Sequence, residues 1–398
     1  MFLIDLQSVG MNFLNIIYFI VALVVLVMVH EFGHFITAKM FNVYVSEFSI
    51  GFGPLIFKKK KGETEYSLRA IPFGGYCALA GENLEDAANY KDIPPERFLC
   101  GIKKWKRAII MIAGVTLNLV LAFFLFLGYF TTTAQVDTKA SHVVASSING
   151  EPSPLQAAGY KGENIISVQY EYTIAGLDAS IPTTQYFDEI DGYASLSKAL
   201  SGGTYEYNGK VYAYTPTSAS DIKKVTIKCE GRTDDIVLNI TPYVASTSGS
   251  DDIVYAWNLM GARYATYRYN FFESIGASFK EVGESSVMMV KALGTLFTKE
   301  GINNVGGPIA VFQVSAQAAS YGFGTFLLIW GMISVNLAVF NLLPFPGLDG
   351  WHFVVIVFEG ITKKEMPAKA KQIASLIGMA ILFILMIIVS IKDVISLF

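Results

Sequence analysis

The chain has 398 residues, of which 53% are hydrophobic and 16% charged, and a formal net charge of −3. That balance is too apolar for an ordinary soluble protein of this length, and the net charge gives no support to a nucleic-acid partner. Cys77, Cys100 and Cys229 form no C-x-x-C pair and no even framework, which argues against disulfides and against a thiolate metal site.

The first predicted element is the apolar run from Phe13 to Val29, which leads straight into His30-Glu31-Phe32-Gly33-His34. Its length predicts a membrane span over about Phe13 to Thr37. The run lacks a basic n-region and contains the motif, so it does not read as a cleaved signal peptide. H-E-x-x-H on a helix is a zinc signature, because residues i and i+4 share a face and His30 and His34 can reach one ion. Glu31, beside the first histidine, is placed to act as base toward the attacking water. Ionisable residues at membrane depth are costly and are functional candidates by default.

Next come Phe48–Phe57 and Glu65–Tyr76, which read as β-strands around a charged turn from Lys58 to Thr64. Gly51, Gly53, Gly74 and Gly75 permit tight bends and close backbone approach. An exposed strand edge of this kind can take an extended peptide as an added strand, and a hairpin that only packs on the spans is the plainer alternative. A second span is expected from about Ala108 to Phe130. It contains Gly114-Val115-Thr116-Leu117-Asn118, where Asn118 either serves the site or simply joins helices.

Residues from about Ser141 to Ser246 are polar and strand-rich, with candidate strands at Val143–Ser147, Lys224–Gly231 and Ile236–Ile240 and a helix over Asp191–Leu200. Tyr269 to Thr298 reads as an amphipathic helix lying on the outer face of the membrane. Gly306-Gly307-Pro308-Ile309 follows. A third apolar stretch from Phe323 to about Phe358 is too long for one span. It is broken at Asn341-Leu342-Leu343-Pro344-Phe345-Pro346-Gly347-Leu348-Asp349-Gly350, which carries an aspartate to membrane depth. The fourth span is expected over about Ile373 to Ile391.

Between Lys58 and Arg107 there are eleven Lys and Arg residues, and Lys363, Lys364, Lys369 and Lys371 lie between the third and fourth spans. The positive-inside rule puts both loops in the cytosol, and the long loop 131–322 and both termini outside. A catalytic zinc usually has three protein ligands. His142 falls in the outside loop and reads as a surface residue. Asp349 is the best third ligand, His352 one turn further is its rival, and a helix cap is the plain reading of Asp349.

These two motifs together make the chain resemble the bacterial site-2 protease family, intramembrane zinc metalloproteases of the RseP type. The family pattern is H-E-x-G-H followed far downstream by N-x-x-P-x-P-x-L-D-G, matched by residues 30–34 and 341–350. The resemblance implies Zn2+ held by His30, His34 and Asp349, with Glu31 as the catalytic acid and base. Many members have Gly-His after D-G; here Trp351 replaces the glycine, which should alter packing beside the site rather than ligation. Residues 114–118 resemble the family's G-P-x-x-N with Val115 in place of proline. By this resemblance Asn118 and Asn341 contact the substrate, and the hairpin with Gly74 and Gly75 is a membrane-reentrant substrate-binding element. Residues 153–168 resemble the PDZ pattern S-P-A-x-x-A-G-L-x-x-G-D-x-I-x-x-V, departing at Tyr160 and Glu163-Asn164. There is room for one PDZ-like domain, thought in the family to filter substrates by the size of their outer domains.

The expected architecture is thus a polytopic α-helical membrane protein with four transmembrane helices, a membrane-associated β-hairpin and one extracytoplasmic PDZ-like β-rich domain. The expected divisions are 1–130 (N-terminal membrane core), 131–250 (PDZ-like domain), 251–322 (linker and amphipathic helix) and 323–398 (C-terminal membrane core). The implied activity is cleavage of the transmembrane segments of single-pass membrane proteins within the bilayer. Anti-sigma factors or signal-peptide remnants already trimmed by an upstream site-1-type protease are the implied substrates. The implied location is the bacterial cytoplasmic membrane, with the zinc site toward the cytosol. Two other classes compete. Transporters also bury His and Asp, but the H-E-x-x-H spacing and the lack of inverted repeats oppose that reading. An inactive homologue has no need of Glu31.

Overall fold

The computed structural model describes residues 6–81, 90, 92–145, 147, 152–172, 184–201, 203–207, 210–214, 222–239, 262–295 and 306–395. Residues 173–183, 215–221 and 240–261, within the expected PDZ-like domain and the start of the expected linker, lie outside the described residues. The chain forms two compact units: residues Met1–Thr133 with Tyr269–Phe398, and residues Ala134–Arg268.

Among the described residues of the first unit, four helices are long and apolar enough to cross a membrane. They are α1 (Leu6–Met40), α2 (Lys104–Thr132), α7 (Phe323–Asn341) and α9 (Ala368–Ile395). The second span begins earlier than expected, at Lys104, because Lys104 to Arg107 continue the helix as its first turn. Gly33 on α1 sits so close to α2 that a Cβ there would strike the Ala113 carbonyl. Gly331 on α7 likewise makes room for the ring of Phe126 on α2. Small residues at these crossings let backbones approach closely, as helix packing in membranes requires. Phe126, Phe130, Ala122 and Val335 form one core at the α2–α7 contact, and Phe19, Leu26 and Trp330 form another between α1 and α7.

The stretch between α1 and α2 holds strands β1 (Val45–Lys61) and β2 (Thr64–Leu79). The lysine run Lys58–Lys61 is therefore strand rather than turn, and only Gly62 and Glu63 make the turn. Positive φ at Gly62 lets this tight reversal form. Pairing is doubled along the hairpin. Residues 47–50 face 75–78 on one side and 65–68 on the other, while 58–61 face 64–67. The bulges fold one long hairpin back on itself, and Gly74 (φ +112°) leaves space for the Phe52 ring at one of them. Glu63 anchors the turn. Lys39 Nζ donates to it at 2.6 Å and Arg97 Nη2 at 2.7 Å. Burial alone would raise the Glu63 pKa, but these hydrogen bonds outweigh it and hold the carboxyl below its ordinary value.

Helix α5 (Phe271–Thr295) packs on α2 and α7. Its buried face carries Ser274, Ser278 and Ser285, while Phe272 and Phe279 are exposed. A helix forms where the amphipathic helix was expected, with its serines turned to protein and Phe279, though exposed, against the Phe123 ring of α2. Ser274 and Ser278 bond back to the carbonyls four residues earlier, which satisfies them inside the contact. Sequence patterning did not anticipate α6 (Pro308–Ser320), a short helix against α1, α7 and α9. The Gly306-Gly307-Pro308-Ile309 turn starts it, and the Asp393 carboxylate accepts from the N–H groups of Gly307 and Ala310, at 3.0 Å for each. A carboxylate at a helix N-terminus satisfies free N–H groups and complements the helix dipole.

The second unit contains a four-stranded antiparallel sheet in the order β7 (Ile236–Asn239), β6 (Ile222–Cys229), β4 (Ile165–Tyr172), β5 (Thr184–Phe187). Helices α3 (Pro154–Ala157) and α4 (Tyr193–Ser201) belong to the same unit. Ser153 and Gln156 form a reciprocal cap at the start of α3, and Pro154 at its first position suits a residue whose N–H is unneeded. Leu155, Ile165, Val168, Tyr170, Leu196 and Ile227 form the core. The expected strand at 143–147 is shorter, β3 (Val143–Ala145), and pairs with β8 (Ala262–Tyr264). Tyr160, a departure from the PDZ pattern, is buried with its hydroxyl between the Val143 N–H and the Glu163 carbonyl. Burial pushes its pKa up.

Candidate metal centre

The site is built by α1, by the break that follows α7, and by α2. α1 brings His30 and His34 to one face, and both rings are buried. The break after α7 brings Asp349, the first residue of α8 (Asp349–Thr362). That break packs against protein at its glycines, while Leu342 and Pro344 are exposed. Gly347, at φ +99°, sits against Met379 of α9, and a Cβ on Gly350 would collide with the Leu342 and Leu343 carbonyls. Irregular backbone at membrane depth is tolerable where it is buried in protein or lines a wet cavity.

His30 Nε2 lies 2.9 Å from Asp349 Oδ2, His34 Nε2 lies 3.1 Å from it, and the two Nε2 atoms are 3.3 Å apart. Ligands on a tetrahedral ion with bonds of about 2.0–2.1 Å are separated by about 3.3 Å, so these spacings suit a common centre. The tautomer supports the same fit. The His34 Nδ1–H donates to the Ile110 carbonyl at 2.8 Å, which leaves Nε2 as a lone pair. A lone pair and a carboxylate oxygen at this distance repel unless a cation or a proton lies between them. Two imidazoles and a carboxylate are a donor set suited to zinc with an open position. Gly114 completes the cradle: a Cβ there would lie 2.5 Å from His34 Nε2 and 2.8 Å from His30 Cε1.

Asn118 is fully buried with its amide Nδ2 3.2 Å from His30 Nδ1, and its Oδ1 has no partner. Amide orientation is an assignment, and turning it lets Oδ1 accept from Nδ1–H and frees His30 Nε2 as an acceptor. Replacing Asn118 by Leu is therefore expected to weaken zinc binding by about 10–100-fold, read by chelator competition. Wild-type affinity in that variant would reduce Asn118 to helix packing.

Glu31 is half-buried next to His30, and its carboxylate accepts from the Cys77 backbone N–H of β2. The hairpin is thus tied to the residue expected to move protons. Asn341 is half-buried at the C-terminus of α7, just before the break. Gly74 and Gly75 lie on β2, where a Cβ on Gly74 would meet the Phe52 ring and one on Gly75 would lie 2.6 Å from the Ser49 carbonyl oxygen. His352 is half-buried on α8 outside the cluster, and His142 lies in the second unit. Among the described residues, the only group of ligand-type side chains close enough for one ion is His30, His34 and Asp349. The Ile110 carbonyl and the Gly114 cradle were not foreseen. Gly114 lay in plain sight in the sequence, but a backbone carbonyl carries no residue-type signal.

The sequence profile of Peptidase family M50 matches residues 18–385. Among relatives, a protein of Clostridium perfringens named "Putative zinc metalloprotease" is 32% identical over 96% of this chain and 98% of its own length. A protein of the same description from Clostridium acetobutylicum is 31% identical over 97% of this chain and 98% of its own. One from Nostoc is 29% identical over 94% of each. With that match along nearly its whole length, and a His-His-Asp cluster set among apolar helices, the chain belongs to peptidase family M50, the site-2 proteases, and is a zinc metalloprotease.

Proposed function

We propose that the protein is an intramembrane endopeptidase that cuts transmembrane segments of single-pass membrane proteins. The observation that carries the reading is the convergence of His30 Nε2, His34 Nε2 and Asp349 Oδ2 within 3.3 Å of one another, between helices apolar enough to lie in a bilayer. Zinc held by these three residues supplies a Lewis acid that acidifies water and polarises the scissile carbonyl. Glu31 accepts a proton as the water oxygen attacks the carbonyl carbon. It returns that proton to the amine nitrogen as the C–N bond breaks. The Cys77 N–H fixes the Glu31 carboxylate against β2, so base and hairpin keep one geometry.

A helical substrate has its amides paired internally and must unwind before its carbonyl is reachable. The hairpin is suited to hold the unwound segment as an added strand, with Gly74 and Gly75 offering backbone rather than side chains, and Asn118 and Asn341 flanking it. The lysine- and arginine-rich connections that precede α2 and α9 favour the cytosol for the zinc end, which leaves residues 134–268 outside. There that unit acts as a PDZ-like filter, so that substrates arrive after an upstream cut has removed bulky outer domains. Anti-sigma factors and signal-peptide remnants have the required form.

The test is cleavage of a tagged single-pass helix with a short outer tail by purified protein in detergent. Wild type is expected to cut within the apolar segment, a zinc chelator to abolish the cut, and Asp349→Ala to abolish it too. Cutting only in soluble parts of the substrate would overturn the intramembrane reading. A fully active Asp349→Ala variant would overturn the ligand assignment.

A further inference from the structure

We infer that Glu359 is a positioning residue for Asp349, acting through the length of α8. The inference rests on the reading of Asp349 as a zinc ligand.

α8 has 14 residues, and so is about 21 Å long. Asp349 stands at its start and Glu359 in its last turns. A helix held only at one end can pivot, and a pivot at the far end swings the ligand. Glu359 is 1% exposed. Its Oε1 accepts from Lys371 Nζ at 2.5 Å and from the Met366 N–H at 3.1 Å. Lys104 Nζ donates to the Glu359 backbone carbonyl at 2.9 Å, and Arg107 Nη1 stands 4.0 Å from Oε2.

The partners belong to the helices that shape the site. Lys104 and Arg107 form the first turn of α2, which further on supplies the Ile110 carbonyl, the Gly114 cradle and Asn118. Lys371 lies near the start of α9, whose Gly378 and Met379 receive the Pro346–Gly347 bend just before Asp349. Glu359 therefore fastens the far end of α8 to the same two helices that hold the near end.

Stability alone does not account for this group. A buried carboxylate loses hydration, and an apolar side chain of similar size often serves a core as well or better. A negative charge near a helix C-terminus also opposes the helix dipole. What the ion pairs add is a fixed register of α8 against α2 and α9.

The test uses full-length protein in detergent, comparing wild type, Glu359→Gln and Asp349→Ala. Zinc affinity is read by chelator competition, and the visible spectrum is read on protein saturated with cobalt. Glu359→Gln is expected to weaken zinc binding about tenfold, the scale of other outer-shell losses. Its cobalt spectrum is expected to move toward that of Asp349→Ala. A merely structural role would lower the melting temperature but leave the cobalt spectrum at wild type. That spectrum, or wild-type zinc affinity in Glu359→Gln, overturns the inference. If Glu359→Gln fails to fold, Lys371→Met releases the same anchor from the other side and takes its place with the same two readouts. Wild-type zinc affinity in Asp349→Ala would instead overturn the ligand reading beneath it.

Discussion

Glu31→Gln is expected to lower the rate of peptide cleavage by about 10²–10⁴-fold, the range for loss of a general acid–base, while zinc stays bound at the wild-type level. The substitution removes the proton acceptor and almost nothing else. Glutamine has the same length, and its amide oxygen can still accept from the Cys77 N–H that holds the wild-type carboxylate. None of the closest-approaching ligand atoms belongs to Glu31, since that cluster is His30, His34 and Asp349. Two measurements on one preparation decide the matter: turnover of a tagged single-pass substrate, and zinc content after gel filtration. Activity within tenfold of wild type would remove Glu31 from the proton transfer. Loss of zinc together with activity would make it a structural support of the metal centre. The transporter reading predicts neither result, because it has no peptide bond to cut.

What could be read in advance follows the range of each interaction. The pairing of His30 with His34 is local, since a helix places i and i+4 on one face, and their Nε2 atoms do lie 3.3 Å apart. Asp349 is more than 300 residues away, and no periodicity links it to α1. Its candidacy came from two prolines and two glycines that forced a charged residue into a broken helix. The structure brings it to the histidines because Gly347 and Gly350 allow the break to pack tightly. Interactions made by backbone or by missing side chains were the least visible. The Ile110 carbonyl that sets the His34 tautomer is such a case. The doubled pairing of residues 47–50 is another, because alternation identifies a strand without stating which strands flank it. Lys58–Lys61 read as a turn by charge and proved to be strand, since lysines on an exposed strand need no burial. Helix α6 was missed because thirteen residues of mixed polarity resemble neither a span nor an amphipathic surface helix, and its N-terminal cap comes from Asp393, more than 80 residues later.

Gly114→Ala is expected to weaken zinc binding by about 100-fold or more, at the upper end of what outer-shell changes cost, while its helix remains formed. On propensity alone the change should help, because alanine favours a helix interior over glycine by about 1 kcal/mol. Sterics decide otherwise. The added methyl would lie 2.5 Å from His34 Nε2 and 2.9 Å from His30 Nε2, the two atoms that face Asp349. Neither ring can yield easily. His34 is held by the Ile110 carbonyl and His30 by Asn118, so relief must come from moving a ligand atom or the α1–α2 crossing. That crossing is tight as well, with Gly33 of α1 against the Ala113 carbonyl. Gly128→Ala supplies the control on the same helix. Its methyl would meet only the Leu327 Cδ1 at 2.9 Å, the end of a flexible side chain that can rotate away. Zinc affinity by chelator competition should therefore separate the two variants, with Gly128→Ala close to wild type. Equal zinc affinity in Gly114→Ala and wild type would show that the space beside the histidines is not needed for the ion.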